Sequence, residues 1–146
     1  MNISKNFTFA EFEASPKAKA RGILNVITSF RVRDAIVALV LEVLQPLRDA
    51  WGKPMPVNSG FRCPALNALV GGVPTSQHTL GEAADIACDE PVKLAQLAYD
   101  MGLPYDQMII YPTFVHFSHK LDGAQRHQIL YNKSYKGPKV KTRRHA

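Results

Sequence analysis

The sequence predicts an α+β domain in which N-terminal helices pack on a small antiparallel sheet. Two patterns carry this prediction. Apolar residues recur at three- and four-residue spacing across 31–50, as on the buried face of a helix. Short apolar or alternating runs typical of strands follow later, at 83–88, 106–110, 114–118 and 127–131. Helices ahead of a run of strands are typical of α+β domains.

Local signals place the N-terminal elements. Thr8 and Glu11 have the spacing of a capping box, which predicts a short helix at 8–14. Residues 15–30 carry turn signals and few periodic apolar positions. The strong helix at 31–50 contains Pro46, which is expected to kink it or to end its first part.

Prolines also open two later helices. Pro64 and Pro91 stand at the first turns of helices expected at 64–70 and 91–101, where the missing proline N–H costs nothing. A further strand is expected at 55–58, ahead of the Ser-Gly pair.

Length and charge bound the organisation of the chain. With 146 residues, 46% hydrophobic and 21% charged, one ordinary globular domain is expected. The net charge of +6 arises entirely within 133–146, which holds six basic residues and no acid. Residues 1–132 are therefore interpreted as the domain and 133–146 as a basic, flexible tail. No apolar run is long enough for a transmembrane helix.

Two histidines and an aspartate form the most informative pattern. His78 and Asp85 lie in one run, and His116 follows in the strand 114–118. On strands, Asp85 and His116 would each project from the face opposite the core. Two imidazoles and a carboxylate can hold Zn²⁺ with a position left for water, which favours hydrolysis. The plain alternative is a chance pair beside a hydrogen-bonded strand histidine.

Further motifs surround these three residues. They are Ser59-Gly-Phe-Arg62, Asn67, Gly71-Gly72, Ser76-x-His-x-x-Gly-x-Ala-x-Asp85 and Val115-His116. Together they resemble the zinc D-alanyl-D-alanine metallopeptidase family over roughly residues 5–131. The resemblance implies a Hedgehog/D-Ala-D-Ala peptidase-like fold and Zn²⁺ on His78, Asp85 and His116. It also implies hydrolysis of amide bonds in peptidoglycan stem peptides, as a carboxypeptidase or an endopeptidase. Many members are phage endolysins, so a phage-type lysis enzyme is expected.

The resemblance also suggests substrate-binding residues. Arg62 is expected to grip a substrate carboxylate, because a guanidinium offers two parallel hydrogen bonds. Ser76 is expected to bind a substrate group or to support the site, and Gln107 to line the cleft. A surface arginine and a polar residue at a strand start are the plain alternatives.

The general base is the point of departure from the family. Better-known members carry an acidic residue or a histidine three residues before the last ligand, where this chain has Thr113. Tyr111 lies where some relatives carry an acid. His119 is the first candidate for the base, because an imidazole titrates near neutral pH; Asp106 is the second and Glu82 the third.

The missing acid keeps an alternative function open, namely a catalytically silent zinc-containing module that binds the wall or forms part of a virion. The basic tail is expected to tether the protein to anionic wall or envelope polymers. No specific nucleic-acid partner is expected, and the protein is expected to be a monomer. Without a recognisable signal peptide, it is expected to be made in the host cytoplasm and to reach the wall after release or within a virion. Cys63 and Cys88 are expected to be free thiols, with a disulfide left open.

Overall fold

A computed structural model describes residues 2–143. Its helices are α1 (Phe9–Glu13), α2 (Pro16–Ala20), α3 (Phe30–Leu39), a π-helical segment (Val40–Leu44), α4 (Gln45–Trp51), α5 (Pro64–Leu69) and α6 (Pro91–Asp100). Its strands are β1 (Val57–Ser59), β2 (Ala83–Ala87), β3 (Gln107–Ile110), β4 (Phe114–Ser118) and β5 (Gln128–Tyr131). The α+β class predicted from the sequence is confirmed.

The two short N-terminal helices begin at side-chain caps. Thr8 and Glu11 form the predicted capping box at the start of α1. In α2, the Ser15 hydroxyl accepts the Ala18 N–H and Pro16 occupies the first turn. The turn signals at 15–30 did not predict α2, because a five-residue helix is too short to show a periodic apolar pattern.

Pro46 does not end the long helix, because a π-helical segment precedes it. The segment Val40–Leu44 lies between α3 and α4, and the Gln45 N–H donates to the Val40 carbonyl, one residue further back than in an α-helix. A proline ring collides with the carbonyl four residues earlier, and a wider turn relieves that collision. The apolar face stays continuous, and Leu39, Val43 and Leu47 are all fully buried.

The sheet has the order β1-β2-β4-β3-β5 and is mixed, which corrects the expected all-antiparallel arrangement. Every pairing is antiparallel except that of β3 with β5. The cause is local. Strand β4 ends beside the start of β3, where the Asp106 N–H donates to the Ser118 carbonyl. A strand that then begins along the free edge of β3 has to run in the same direction as β3.

The two faces of the sheet have different surroundings. Ile86, Met108, Val115 and Phe117 point into the core and are fully buried against the helices. The opposite face carries Asp85 and His116, which remain partly accessible. This alternation confirms the strand parity predicted for 83–88 and 114–118.

The basic C-terminal segment is packed on the domain as far as Arg143. Val140 is buried in the core, and its N–H donates to the Tyr131 hydroxyl at 2.8 Å. The Lys141 and Arg143 N–H groups donate to Gln96 and Tyr99 on α6. Val140, backbone hydrogen bonds and contacts of Tyr135 and Lys139 with the Tyr131 ring hold the segment, and none of these leaves a periodic signal in the sequence. The division at residue 132 stays a prediction, and Arg144 lies outside the described residues.

Two simpler predictions concern thiols and membranes. Cys63 and Cys88 are free and half-buried. Within residues 2–143 no helix is long and apolar enough to cross a membrane.

Candidate metal centre

Strand pairing brings Asp85 and His116 together on the open face of the sheet. The two residues are direct partners in the β2–β4 ladder, and Ser59 of β1 pairs with Asp85 from the other side. Directly opposed residues of an antiparallel pair project from the same face with their Cβ atoms about 5 Å apart. The Nδ1 atom of His116 lies 2.9 Å from Oδ1 of Asp85.

His78 reaches the same point from the loop that precedes β2. Its N–H donates to the Ser76 hydroxyl, which fixes the turn. Its ring nitrogen Nδ1 lies 2.7 Å from the Gly60 carbonyl, and since a carbonyl only accepts, Nδ1 carries the proton. The Nε2 atom is then unprotonated and lies 3.4 Å from Oδ1 of Asp85. The fold therefore presents one chosen nitrogen of a nearly buried imidazole.

Two glycines make this approach possible. Gly81 has φ +74°, and a Cβ there would lie 2.6 Å from the Val32 carbonyl oxygen. Gly60 runs against Phe12, where a Cβ would approach the ring to 2.7 Å. Glycine at these positions lets the His78 loop turn and lets the Gly60 carbonyl come within reach of the imidazole.

The three side chains fit a small metal ion. Their ligand atoms all lie within 4.8 Å of one another, and they form the one such group of histidine, cysteine and acidic residues among those described. A tetrahedral ion about 2.1 Å from each donor needs donor separations of roughly 3.4 Å. Burial raises the pKa of Asp85, but the hydrogen bond with His116 and the neighbouring His78 imidazole lower it more, so the pKa lies well below its ordinary value. The carboxylate is therefore ionised, as a ligand has to be.

Arg62 borders this group and is held in place by two neighbours. Its Nη2 lies 3.9 Å from Oδ2 of Asp85, while Nε donates to Ser59 Oγ and Nη1 to Asn67 Oδ1. A side chain at Gly72 would collide with Asn67 and Arg62, which explains the glycine. Burial lowers the pKa of Arg62, and the charge of Asp85 partly offsets this. The guanidinium is thus oriented and partly desolvated, with Nη2 directed towards the ligand group.

Comparison with known proteins identifies the family of the chain. The profile of the Peptidase M15 family matches residues 5–118. The chain belongs to the Peptidase M15 family. It is also 35% identical over 100 residues to the zinc D-Ala-D-Ala carboxypeptidase of Streptomyces albus G, and that match covers 66% of this chain. The matched part spans only 38% of the relative's length. The family resemblance predicted from the motifs is confirmed, and with the His–Asp–His group these findings bear out Zn²⁺ as the cofactor.

Ser76 and Gln107, the other two residues predicted to bind substrate, lie in different parts of this M15 chain. Ser76 caps the turn that presents His78, and Thr79 donates its hydroxyl hydrogen to the Ser76 carbonyl. Supporting the site is the part of its prediction that these contacts favour. Gln107 lies at the start of β3 and donates to Gln128 on β5 at 2.8 Å. Its role in lining the cleft stays a prediction.

Asp106 lies outside the ligand group and is occupied by other partners. The fully buried carboxylate accepts hydrogen bonds from Gln77 Nε2, Arg126 Nε, Arg126 Nη2 and the Arg126 N–H. Burial raises the pKa of Asp106, but the bonds with Arg126 and Gln77 lower it more. These contacts join the His78 loop to the crossover that leads into β5. These contacts favour a structural role for Asp106. They do not test the prediction that Asp106 is the general base.

His119 and Glu82 also lie outside the ligand group. Strand β4 ends at Ser118, and Nδ1 of His119 donates to the Pro104 carbonyl at 2.7 Å, which leaves Nε2 as the acceptor nitrogen. Glu82 is buried and accepts from the Leu121 N–H and, at 3.4 Å, from Gln77. The assignment of a general base among these residues stays a prediction.

Tyr111, noted in the sequence where some relatives carry an acid but assigned no role there, lies beside the metal group. It follows β3, pairs with Phe114 across the turn, and stacks on that ring with centroids 4.0 Å apart. Phe114 and His116 project from the same face, so the phenol lies on the side of the metal group. Burial raises the pKa of Tyr111, and the nearby charge of Asp85 raises it further. A neutral hydroxyl therefore borders the site. The sequence signal that could have placed Tyr111 there was the strand parity of 114–118, extended across the turn.

Proposed function

We propose that this protein is a zinc peptidase that hydrolyses amide bonds in peptidoglycan stem peptides. The observation that carries the proposal is the convergence of His78, Asp85 and His116 beside the oriented guanidinium of Arg62. A metal ligand set of this kind suits amide hydrolysis, and an adjacent guanidinium suits a substrate with a free carboxylate next to the scissile bond. The M15 family and the zinc D-Ala-D-Ala carboxypeptidase relative support the substrate class.

His78 Nε2, Asp85 and His116 would hold the ion, with a further position left to solvent. When bound, Zn²⁺ supplies polarisation of the amide carbonyl and lowers the pKa of a water molecule towards ~7. The Gly60 carbonyl keeps His78 in the tautomer that binds metal, which is a common role for a hydrogen bond behind a ligand. Asp85 contributes a negative charge to the ligand set from the open face of β2.

Arg62 positions the substrate. Because Ser59 and Asn67 hold its Nε and Nη1, the guanidinium can receive a carboxylate without first losing conformational freedom. A carboxylate bound there fixes the amide that precedes it against the ligand group. In the reaction the C–N bond breaks and a C–O bond forms from water; one water proton passes to the amine that leaves.

Two side chains are proposed to handle that proton and the carbonyl. His119 is the proposed base, since its Nε2 is free to accept. Tyr111 is proposed to donate a hydrogen bond to the carbonyl oxygen as it gains charge. Tyr111→Phe keeps the stack on Phe114 and removes only the hydroxyl, so kcat should fall by roughly 10–10²-fold with KM little changed. An unaltered kcat would remove Tyr111 from the chemistry.

The proposed function is tested directly on its substrate. Purified peptidoglycan is incubated with protein, with and without a chelator, and released fragments are identified by mass spectrometry. We expect new amine and carboxyl ends that disappear with the chelator and return when Zn²⁺ is added. His116→Ala should abolish both the release and zinc binding, while His127→Ala, a matched change at an exposed histidine, should alter neither. Fragment release that persists in His116→Ala would contradict the proposal.

A silent zinc-containing wall-binding or virion module is the second candidate. It is favoured by Thr113, which stands where better-known members carry an acidic residue or a histidine, and by the ion pair that engages Asp106. Zinc bound in stoichiometric amount, wall binding and no released fragments would together favour the module over the enzyme.

A phage-type lysis role is likewise proposed, on the motif resemblance stated above. The protein would be made in the host cytoplasm and act on the wall after release or within a virion. Co-expression with a membrane-permeabilising protein tests this role. Host cultures should lose turbidity with the wild type and not with His116→Ala; equal turbidity in both cultures would count against it.

We also propose that the packed basic segment binds anionic polymers of the envelope. Lys133 and Lys136 are exposed, and no described residue forms an ion pair with either. Because Val140 lies in the core, charge removal tests this better than truncation. Lys133→Gln with Lys136→Gln should weaken binding to purified walls at low salt, and the difference should vanish at high salt. Lys5→Gln is the control, and equal wall binding by all three proteins would refute the proposal.

A further inference from the structure

The stretch that joins α2 to α3 turns a row of apolar side chains outward. Leu24 and Val26 are exposed and Phe30 follows at the start of α3, whereas Asn25 is buried and Ile27 is half-buried. Leu24 is 79% exposed and Phe30 86%, the two highest values among the large hydrophobic residues that the structure describes. Large apolar side chains that stand outward together commonly mark an interaction surface. We call Leu24, Val26 and Phe30 the apolar row.

The apolar row is held outward by the residues between its members. The Nδ2 atom of Asn25 donates to the carbonyls of Glu13 and Phe61. Its Oδ1 atom accepts the Cys63 N–H at 2.7 Å. The Ile27 N–H donates to the Glu13 carboxylate, also at 2.7 Å. These bonds fix the inner side of the stretch on the domain, so the outward position of the row is a built feature of the surface.

Positive charge surrounds the apolar row. Residues 14–33 hold five basic residues and no acidic one, although residues 1–132 as a whole hold equal numbers of each. Lys19 lines one shallow concavity with the first two members of the row. Arg33 lines a second concavity with Phe30. The charge of the segment is therefore concentrated beside its exposed apolar side chains.

Neighbouring acids leave much of this charge unopposed. Arg31 pairs with Asp122 at 2.8 Å, and the Glu13 carboxylate is engaged by the Ile27 N–H. Asp34, the next acid along the chain, is exposed on α3. Three basic residues are exposed and, within residues 2–143, form no ion pair: Lys17, Lys19 and Arg21.

An anionic lipid bilayer complements both parts of this surface. Its hydrocarbon boundary accepts leucine, valine and phenylalanine side chains, and its headgroups supply negative charge. The apolar row has no side-chain donor or acceptor, and the N–H groups of Ile23 and Ile27 are already bonded within the protein. A protein partner fixes its register through such polar groups, whereas a bilayer needs none. A soluble polyanion would use the cations and leave the row in water.

We propose that the apolar row and the cations beside it bind the surface of an anionic phospholipid membrane. Leu24 and Phe30 enter the boundary between headgroups and acyl chains, while Lys19 and Arg21 contact the lipid phosphates. Stable interfacial binding takes two such signals, one apolar and one electrostatic. The inference goes beyond amide hydrolysis and does not depend on it.

The membrane-binding face lies next to the proposed substrate side of the molecule. Helix α2 separates this face from a cavity of about 390 Å³ that Arg62 lines. Ser15 and Pro16 border both that cavity and the concavity beside Leu24. Docking through the apolar row would thus hold the Arg62 side of the metal centre close to the membrane.

Co-sedimentation with vesicles tests the apolar part. Vesicles of phosphatidylglycerol mixed with phosphatidylcholine should bind the wild type, and vesicles of phosphatidylcholine alone should bind it only weakly. Leu24→Ser with Phe30→Ser should lower the partition coefficient by about tenfold or more, because two apolar side chains no longer enter the bilayer. Leu41→Ser with Leu130→Ser is the matched control, since both leucines are exposed and lie outside the two concavities. Zinc content and Tm, measured on the same samples, should not separate the two double variants.

Removing charge tests the electrostatic part. Lys19→Gln with Arg21→Gln should lower vesicle binding by roughly fivefold for each cation at low salt, and the difference should shrink at high salt. Lys133→Gln with Lys136→Gln removes the same charge from the basic C-terminal segment and should lower vesicle binding less. Equal losses in the two charge variants, with none in Leu24→Ser with Phe30→Ser, would reduce the binding to a general effect of charge and overturn the proposal.

Fluorescence reports insertion itself. Phe30→Trp places an indole in the apolar row, and the wild type, whose single tryptophan is the half-buried Trp51, supplies the background. The emission should shift to the blue with phosphatidylglycerol vesicles and be quenched by brominated acyl chains. An unshifted spectrum overturns the proposal. Binding to soluble polyphosphate without binding to vesicles would assign the cations to a polyanion, and no binding to either would leave the face to a protein partner; both results also overturn it.

Discussion

Replacing Asp106 with asparagine separates a structural carboxylate from a catalytic one. The side chain is fully buried, and its two oxygens accept from four donor groups, three of them on Arg126 and one on Gln77. Asparagine keeps the volume but has one acceptor oxygen. Its amide group would face donors, so at least one donor loses its partner.

The size of the effect follows from these contacts. A hydrogen bond to a charged group contributes ~1.5–3 kcal/mol, and the Arg126 side chain, 42% exposed, can recover part of that loss from water. We therefore expect Asp106→Asn to lower the free energy of unfolding by about 2–3 kcal/mol. For a chain of this length, ~2–4 °C per kcal/mol gives a Tm lower by roughly 4–12 °C.

The contribution of Asp106 to stability depends on pH in one definite direction. The pKa of Asp106 is depressed in the folded protein, so its stabilising contribution is fully present above the unfolded pKa of about 3.9. It is lost as the pH falls below that value, through the folded pKa. The difference in Tm between wild type and Asp106→Asn should therefore be constant near neutral pH and should shrink in acid.

Thermal unfolding followed by circular dichroism measures the difference, with zinc content and kcat determined on the same samples. Asp122→Asn is the control, because its ion pair with Arg31 is exposed on both sides and should contribute ~0–1 kcal/mol. A wild-type Tm in Asp106→Asn, together with a 10²-fold or larger loss of kcat, would refute the structural reasoning and make Asp106 the base.

Three further changes test the site. Arg62→Lys keeps the charge but loses the two-pronged grip, so kcat/KM should fall by ~10–10²-fold with zinc content unchanged; wild-type kinetics would end its substrate role. His119→Ala should lower kcat by ~10²–10⁴-fold with zinc retained if His119 is the base. A normal kcat with a lower Tm would instead assign His119 a structural role through its hydrogen bond with the Pro104 carbonyl. Gly81→Ala combines a positive φ with a clash at Val32, so Tm and zinc affinity, both measured, should drop together.

Local sequence determined most elements of this protein. Capping residues and prolines fix helix starts by satisfying or removing backbone N–H groups, so α1, α5 and α6 could be predicted from a few residues. Strand alternation set the faces of Asp85 and His116, because side chains on a strand alternate regardless of what the strand packs against. The group of His78, Asp85 and His116 could thus be predicted from residue spacing and residue type.

Tertiary structure alone decided the rest. The parallel pairing of β5 follows from where β4 ends, and the docking of the basic segment depends on Val140 finding the core. The partners of Asp106 are 20 and 29 residues away along the chain, so no local pattern could assign its carboxylate to Arg126 and Gln77. The cavity beside Arg62 likewise exists because α2, β1 and α5 meet there. Contacts between distant segments set what a polar side chain is free to do, and sequence spacing does not record them.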